Sequence, residues 1–144
     1  MKKNNNKGFT LVELIVVLVI LAILAAILVP ALLGYIDKAR QGQYAEEAHS
    51  ILTAVQAQAT EDYAKGETAP KAIDKNYVNN IVSPTVVTEV TATYGTEATG
   101  AGSNSSKHSA FTVKTLNVTF VSQNKTKVQM TFDGKSWSDP KEVQ

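Results

Sequence analysis

The hydrophobic pattern changes character three times along the chain. Residues Leu14 to Val29 carry no polar or charged side chain. They lie within an apolar run from Phe9 to Leu33, which as a helix would span roughly 37 Å at about 1.5 Å per residue. That is enough to cross a hydrocarbon layer of about 30 Å. Past Leu33 the apolar positions contract to one stripe, Tyr44, Ala48, Ile51, Leu52, Val55, Ala59 and Tyr63. This spacing follows a helix of 3.6 residues per turn, with Glu46, Glu47, Thr53, Gln56 and Asp62 on other sides. The pattern predicts one helix from Phe9 to Ala64, stopped by Lys65-Gly66. Pro30 and Gly34 interrupt it near the membrane exit, where a kink or local melting is expected. The tyrosines of the stripe are read as core.

Beyond Gly66 the spacing shortens. Pro70 to Val82 predicts a short helix with Pro70 in its first turn, Ile73, Tyr77, Val78, Ile81 and Val82 on one face, and Pro84 beyond its end. Thr85 to Tyr94 alternates as a strand with Val86, Val90, Ala92 and Tyr94 on one side. Residues Gly95 to Ser109 are rich in Gly, Ser, Thr and Ala and predict an exposed loop. Phe111 to Val121 is the strongest strand. Its apolar phase shifts from Phe111 and Val113 to Leu116, Val118 and Phe120, which predicts a bulge near Lys114 or Thr115. Gln123-Asn124-Lys125 connects it to a strand carrying Val128, Met130 and Phe132, and Asp133-Gly134 turns the chain before Trp137. The predicted fold is α+β: a long N-terminal helix, half membrane-spanning and half amphipathic, packed against a small antiparallel β-sheet of three to four strands.

Composition narrows the function classes. The 144 residues contain no cysteine, which excludes disulfides, thiolate metal sites, cysteine nucleophiles and a lipidated N-terminal cysteine. Extracellular location remains open, because cysteine is useful there but not required. The net charge is +1 overall, and the portion after Leu33 is nearly balanced, unlike a dedicated nucleic-acid binder. Within that portion Gly34–Gly100 has 5 basic and 9 acidic residues, and Ala101–Gln144 has 6 basic and 3 acidic. Lys107, Lys114, Lys125, Lys127 and Lys135 are thus placed to face acidic neighbours, to make weak phosphate contacts with DNA, or simply to be solvated.

The N-terminus carries the most specific chemistry. Met1 to Gly8 contains three lysines and no acid, the mark of a cytoplasmic flank. A secretory signal peptide cut near Ala22 to Ala26 and an ordinary membrane anchor both fit that flank. Neither explains Glu13, an acid within an apolar run, where an ionisable group costs a few kcal/mol and requires a partner or a function. Neither explains Gly8, a small residue before the apolar run, where it would suit a protease at the cytoplasmic face.

The segment Gly8-Phe9-Thr10-Leu11-Val12-Glu13-Leu14-Ile15 resembles the class III leader and N-terminal helix of the type IV pilin family. The strict resemblance covers Lys7 to about Tyr35. It implies that a prepilin peptidase cuts between Gly8 and Phe9, that Phe9 becomes the N-methylated terminus, and that Glu13 and Pro30 occupy the family's acid and proline positions. It also implies a homo-oligomeric filament built by an assembly motor and platform proteins, from a single-pass precursor in the cytoplasmic membrane to an extracellular pilus. The terminal amine, with a reference pKa of about 8, stays cationic after methylation and would be a counter-ion for Glu13. The amine of a neighbouring subunit and the chain's own Phe9 amine, four residues away on one helix face, both remain open as its source. Many diderm pilins close their C-terminal region with a disulfide, which this chain cannot form; a monoderm source would account for that.

The implied layout is a cleaved leader at 1–8, a transmembrane and filament-core helix at 9–33, an amphipathic helix at 34–66, and a globular head at 67–144 with its exposed loop at 95–109. The function expected is a structural filament subunit supporting adhesion, motility or DNA uptake. A pseudopilin of a type II secretion or competence system is the alternative, and a membrane-anchored binding module the rival from another class. An enzyme is not expected: His49 and His108 show no catalytic or metal-ligand spacing. No cofactor is assigned; Asp133, Ser136 and Asp139 are the candidate oxygen ligands for a hard cation such as calcium. Asn104, Asn117 and Asn124 begin glycan-acceptor triplets of a kind that also arises by chance in a Thr-rich chain.

Overall fold

The computed structural model describes residues 8–95 and 109–144. The chain divides into two compact units, residues 1–39 and 40–144. Helix α1 is Leu11–Ala64, and the helical backbone continues through Pro30 and Gly34 without a break. The local melting expected there is therefore absent. Proline at an interior position removes one N–H donor, and the surrounding backbone bonds keep the helix in register. In the first unit every described residue is exposed, including Leu14 at 55% and Leu18 at 62%. This stretch is long and apolar enough to cross a membrane. Surface of this kind is stable only in lipid or against other apolar helices.

The second unit is built on the amphipathic part of α1. Tyr44, Ala48, Ile51, Val55 and Ala59 are buried, as their spacing predicts, and Leu52 and Tyr63 are half-buried. The buried face is wider than the apolar stripe, and here the sequence reading needs correction. Glu47 and Asp62, assigned to the outer sides, are 6% and 5% exposed, and Gln56 is half-buried. Each serves as a polar clasp between the helix and the chain packed on it. Gln56 Nε2 donates to the Phe111 carbonyl at 2.8 Å, and its Oε1 accepts the Val113 N–H at 2.9 Å. Asp62 Oδ2 accepts the Lys71 N–H at 2.9 Å. A buried backbone group left without such a partner costs about 1–3 kcal/mol. Gln56→Ala orphans one donor and one acceptor at the entry to the strand that begins at Val113, and is expected to lower head stability by about 1–3 kcal/mol in urea unfolding of the detergent-solubilised chain.

Gly66 ends α1 in the left-handed region at φ 81, where glycine is unstrained. Lys65 lies just past the last turn, at the stop that the sequence predicts. Helix α2 is Lys75–Val82, five residues shorter at its start than predicted. Gln58 of α1 causes the difference: its Nε2 donates to the Ala72 carbonyl and its Oε1 accepts the Asp74 N–H, both at 3.0 Å. The connection is thereby kept non-helical up to Asp74, which caps α2 through the N–H groups of Asn76 and Tyr77. Val78 and Val82 are buried, whereas Ile81, expected on the same face, is 52% exposed.

Four antiparallel strands follow in the order β1-β2-β3-β4: β1 (Val86–Tyr94), β2 (Val113–Val121), β3 (Lys127–Phe132) and β4 (Lys141–Glu142). Phe111 precedes β2 instead of opening it, and is buried with Ala59 and Ala110. The pairing passes from Thr93↔Thr115 to Tyr94↔Val113, so Lys114 is the extra residue of the predicted bulge. A second irregularity, between Val87 and Glu89, was not legible in the alternation. It makes Val87 the buried residue and leaves Val86 exposed at 49%, correcting the predicted face of β1. Asn79 covers the edge here: its carboxamide accepts the Val87 N–H at 2.7 Å and donates to the Val87 carbonyl at 3.4 Å, as an adjacent strand would. The core is closed by Leu116, Val118 and Phe120 of β2 with Val128 and Met130 of β3, packed against Ile51 and Val55. Tyr44 hydroxyl donates to Glu142 of β4 at 3.1 Å and accepts from Asn124 at 2.9 Å, which fastens the C-terminal strand without a disulfide. The loop at 95–109 lies outside the described residues except for its ends.

Candidate functional site

The candidate site is the entry to α1. Thr10 precedes the first helical residue, and its hydroxyl accepts the Glu13 N–H at 3.3 Å. In return Glu13 Oε2 accepts the Thr10 N–H at 2.8 Å and the Thr10 hydroxyl at 2.7 Å. These reciprocal bonds form a capping box, Thr-x-x-Glu, which satisfies backbone donors that a helix start otherwise leaves open. Glu13 also places negative charge at the positive end of the helix dipole. The sequence reading paired Glu13 only with an amine and overlooked Thr10, although the four-residue pattern was there to be read. In the uncut chain Phe9 N is a peptide nitrogen, so an amine partner exists only after cleavage. The capping box uses Thr10 and Glu13, both C-terminal to the expected cut after Gly8, and one oxygen of Glu13 accepts nothing from the described residues.

Gly8 has φ outside the left-handed region, and a Cβ added there meets nothing within 4 Å. Among the described residues nothing requires glycine at this position. Phe9 is 80% exposed. Pro30 lies on the exposed apolar part of α1.

The other candidates are dispersed. Asp133 Oδ1 accepts the Ser136 and Lys135 N–H groups at 2.8 and 2.9 Å, and the Ser136 hydroxyl reaches Oδ2 at 3.3 Å. The backbone N–H of Ser136, then that of Lys135, hold the Asp133 carboxyl below its ordinary pKa. Gly134 completes the turn at φ 97. Asp139 takes no part in this turn; its carbonyl accepts the Ser138 hydroxyl at 3.2 Å. Among the described residues no group of three His, Cys, Asp or Glu side chains is assembled. His49 is exposed on α1, and His108 and Lys107 lie outside the described residues. The remaining lysines are divided between the two ends of the β2–β3 pair: Lys114 and Lys135 at one, Lys125 and Lys127 at the other. Asn124, a glycan-acceptor candidate, has its amide occupied by Tyr44 and by the Thr126 N–H.

A cavity of about 630 Å³ runs beside α1, lined by Leu52, Ala57, Tyr77, Val113 and Phe132 among others. Its acid, Glu61, accepts from Tyr77 at 2.9 Å and Lys65 at 3.3 Å. Those contacts, Tyr77 first, hold its pKa below the ordinary value. The Thr53 and Thr60 hydroxyls lining it donate to helix carbonyls. These side chains do not form a nucleophile–base pair.

The model of the prokaryotic N-terminal methylation motif matches residues 3–29. No curated protein and no solved structure matches the chain. The match supports reading residues 3–29 as the class III leader and N-terminal helix of a type IV pilin-like or pseudopilin-like prepilin, and the motif indicates a substrate of prepilin peptidase. Such a leader implies processing by that peptidase and assembly into filaments, from a precursor anchored in the membrane by its apolar helix. It is a motif of structural pilin-like proteins and not of an enzyme family.

Proposed function

We propose that the chain is a structural subunit of a type IV pilus-like filament on the cell surface, supporting adhesion, motility or DNA uptake. The observation that carries this reading is the exposed apolar part of α1, every described side chain of which lies open. A membrane covers such a helix in the precursor, and packing among copies of the same helix covers it in a filament. Cleavage between Gly8 and Phe9 removes the three lysines that hold the N-terminus in the cytoplasm. The new amine and Glu13 then present opposite charges within apolar surroundings, where an unpaired acid is costly. Pairing between copies would set the axial register of the filament. The head, held by the Gln56, Asp62 and Tyr44 contacts, would form the outer surface. The Gly-, Ser- and Thr-rich composition of residues 95–109 favours a displayed pilus over a pseudopilus.

The test is intact-mass and N-terminal peptide mass spectrometry on protein from the native cells. A chain beginning at methylated Phe9 is expected. Mature protein beginning near Ile27, or retaining Met1, would rule the filament reading out.

A further inference from the structure

The second unit carries an apolar groove that helix pairing alone leaves open. This is the cavity of about 630 Å³ beside α1, lined entirely by residues of that unit. Thr53, Ala57 and Thr60 form its floor. Their spacings of four and three place them on one face of α1, away from the buried Ile51, Val55 and Ala59. Leu52, Tyr77 and Phe132, all half-buried, border the floor. Small side chains between larger ones leave room for a second helix to approach the backbone of α1 closely.

The polar groups of the groove suit it to an apolar occupant. The Thr53 and Thr60 hydroxyls donate to the His49 and Gln56 carbonyls at 3.0 and 2.8 Å. The Gln56 carboxamide is used at both ends, by the Phe111 carbonyl and the Val113 N–H. Tyr77 hydroxyl donates to Glu61 at 2.9 Å, and Glu61, the charged residue of the lining, also meets Lys65 at 3.3 Å. Covering the groove therefore strands no donor, which is the usual cost of burying polar side chains. A polar ligand would find no free donor on the groove's side chains.

Two apolar surfaces of the chain compete to fill it. Ile81 and Val86 are exposed in the second unit, but single exposed apolar side chains are ordinary. The run Leu14–Val29 is different in scale: its Leu, Ile and Val side chains are all at least 50% exposed, with no polar residue among them. Outside lipid such a helix is stable only against other apolar surface.

We propose that the groove receives the apolar run Leu14–Val29 of a second copy. This inference rests on the filament reading and names a partner surface within it. The groove lies on a later stretch of the same helix that carries the packing surface of that reading. Each chain offers one groove and one apolar run, which are different surfaces. The contact is therefore heterologous and repeats from copy to copy without closing, and it fastens the head of each copy to the helix of another.

The chain has no cysteine, so engineered pairs test the contact directly. Ala57→Cys is combined with cysteine substitutions placed one at a time from Leu14 to Val29 in the full chain. Sheared filaments are oxidised mildly and separated under denaturing, non-reducing conditions. Pairs in contact should give a ladder of covalent multimers, its yield peaking every three to four residues along the run as one helix face meets the groove. Single-cysteine variants should give nothing above a dimer, and Thr91→Cys, exposed on β1, should give no ladder in place of Ala57→Cys. Ala57→Glu, which sets a charge against an apolar helix, should leave the precursor level and its processing unchanged and reduce sheared filaments at least tenfold. Filaments without a ladder from any pair, or undiminished filaments in Ala57→Glu, would overturn this contact and leave the filament reading standing. A ladder with Ile81→Cys or Val86→Cys, and none with the run, would overturn it in favour of a neighbouring head. A parent chain that forms no filaments would overturn both.

Discussion

Glu13→Leu is expected to give a precursor that inserts into the membrane at normal levels and yet forms no filaments. Leucine is favoured over an acid within a membrane segment by a few kcal/mol, so insertion does not suffer. Two things are lost together. The Thr10–Glu13 capping box loses the carboxylate that accepts two Thr10 groups, a loss of about 0.5–2 kcal/mol at a helix start. The negative charge that would meet a terminal amine is lost as well. Glu13→Gln separates them, because its carbonyl oxygen can still accept from Thr10 while carrying no charge. Thr10→Val is the converse, removing the hydroxyl and keeping the charge. If pairing with an amine drives assembly, Glu13→Gln should reduce sheared filaments at least tenfold while Thr10→Val retains most of them. The reverse ranking would make Glu13 a helix-capping residue first. Filaments at the parental level in Glu13→Leu would remove Glu13 from assembly altogether.

The capping box shows how a sequence can be read correctly in outline and still miss a contact. An acid in an apolar run is conspicuous because hydrocarbon penalises it, and that penalty directs attention to a distant counter-ion. The nearer partner was a threonine three residues away. The same bias recurs in the head. Periodicity located the apolar stripe of α1 because hydrophobic burial is non-directional and leaves a regular trace. It placed Glu47, Gln56 and Asp62 outside, since a polar side chain buried by specific hydrogen bonds has no periodic signature. Their partners, Ser122, Phe111, Val113 and Lys71, are known only once the chain is folded over the helix. The strand irregularities divide in the same way. The bulge at Lys114 was legible because apolar residues on both sides of it are out of phase. The one after Val87 was not, because Val86 and Val87 are alike and either can be the buried one.

The head should be far more sensitive to core loss than to any single polar change, and Phe120→Ala is the sharpest case. Phe120 is fully buried at the middle of the sheet, opposite Val87 of β1 and Val128 of β3. Truncation removes most of the ring volume and leaves a cavity that two β-branched neighbours fill only partly. The expected loss is about 3–5 kcal/mol, against a total of about 5–15 kcal/mol for an ordinary domain. Trp137, half-buried with its ring 5.4 Å from that of Phe132, reports the transition by fluorescence in urea. The midpoint should fall far below that of the parent, while Val86→Ala, at an exposed position one strand away, should change it little. Cleavage at Gly8 should continue in Phe120→Ala, because the leader and the capping box lie in the first unit and the lesion in the second. A mature Phe9 terminus on a destabilised head would show that processing reads the N-terminal motif alone. A shift below about 1 kcal/mol, well under the usual cost of such a truncation, would mean that Phe120 does not close the head's core.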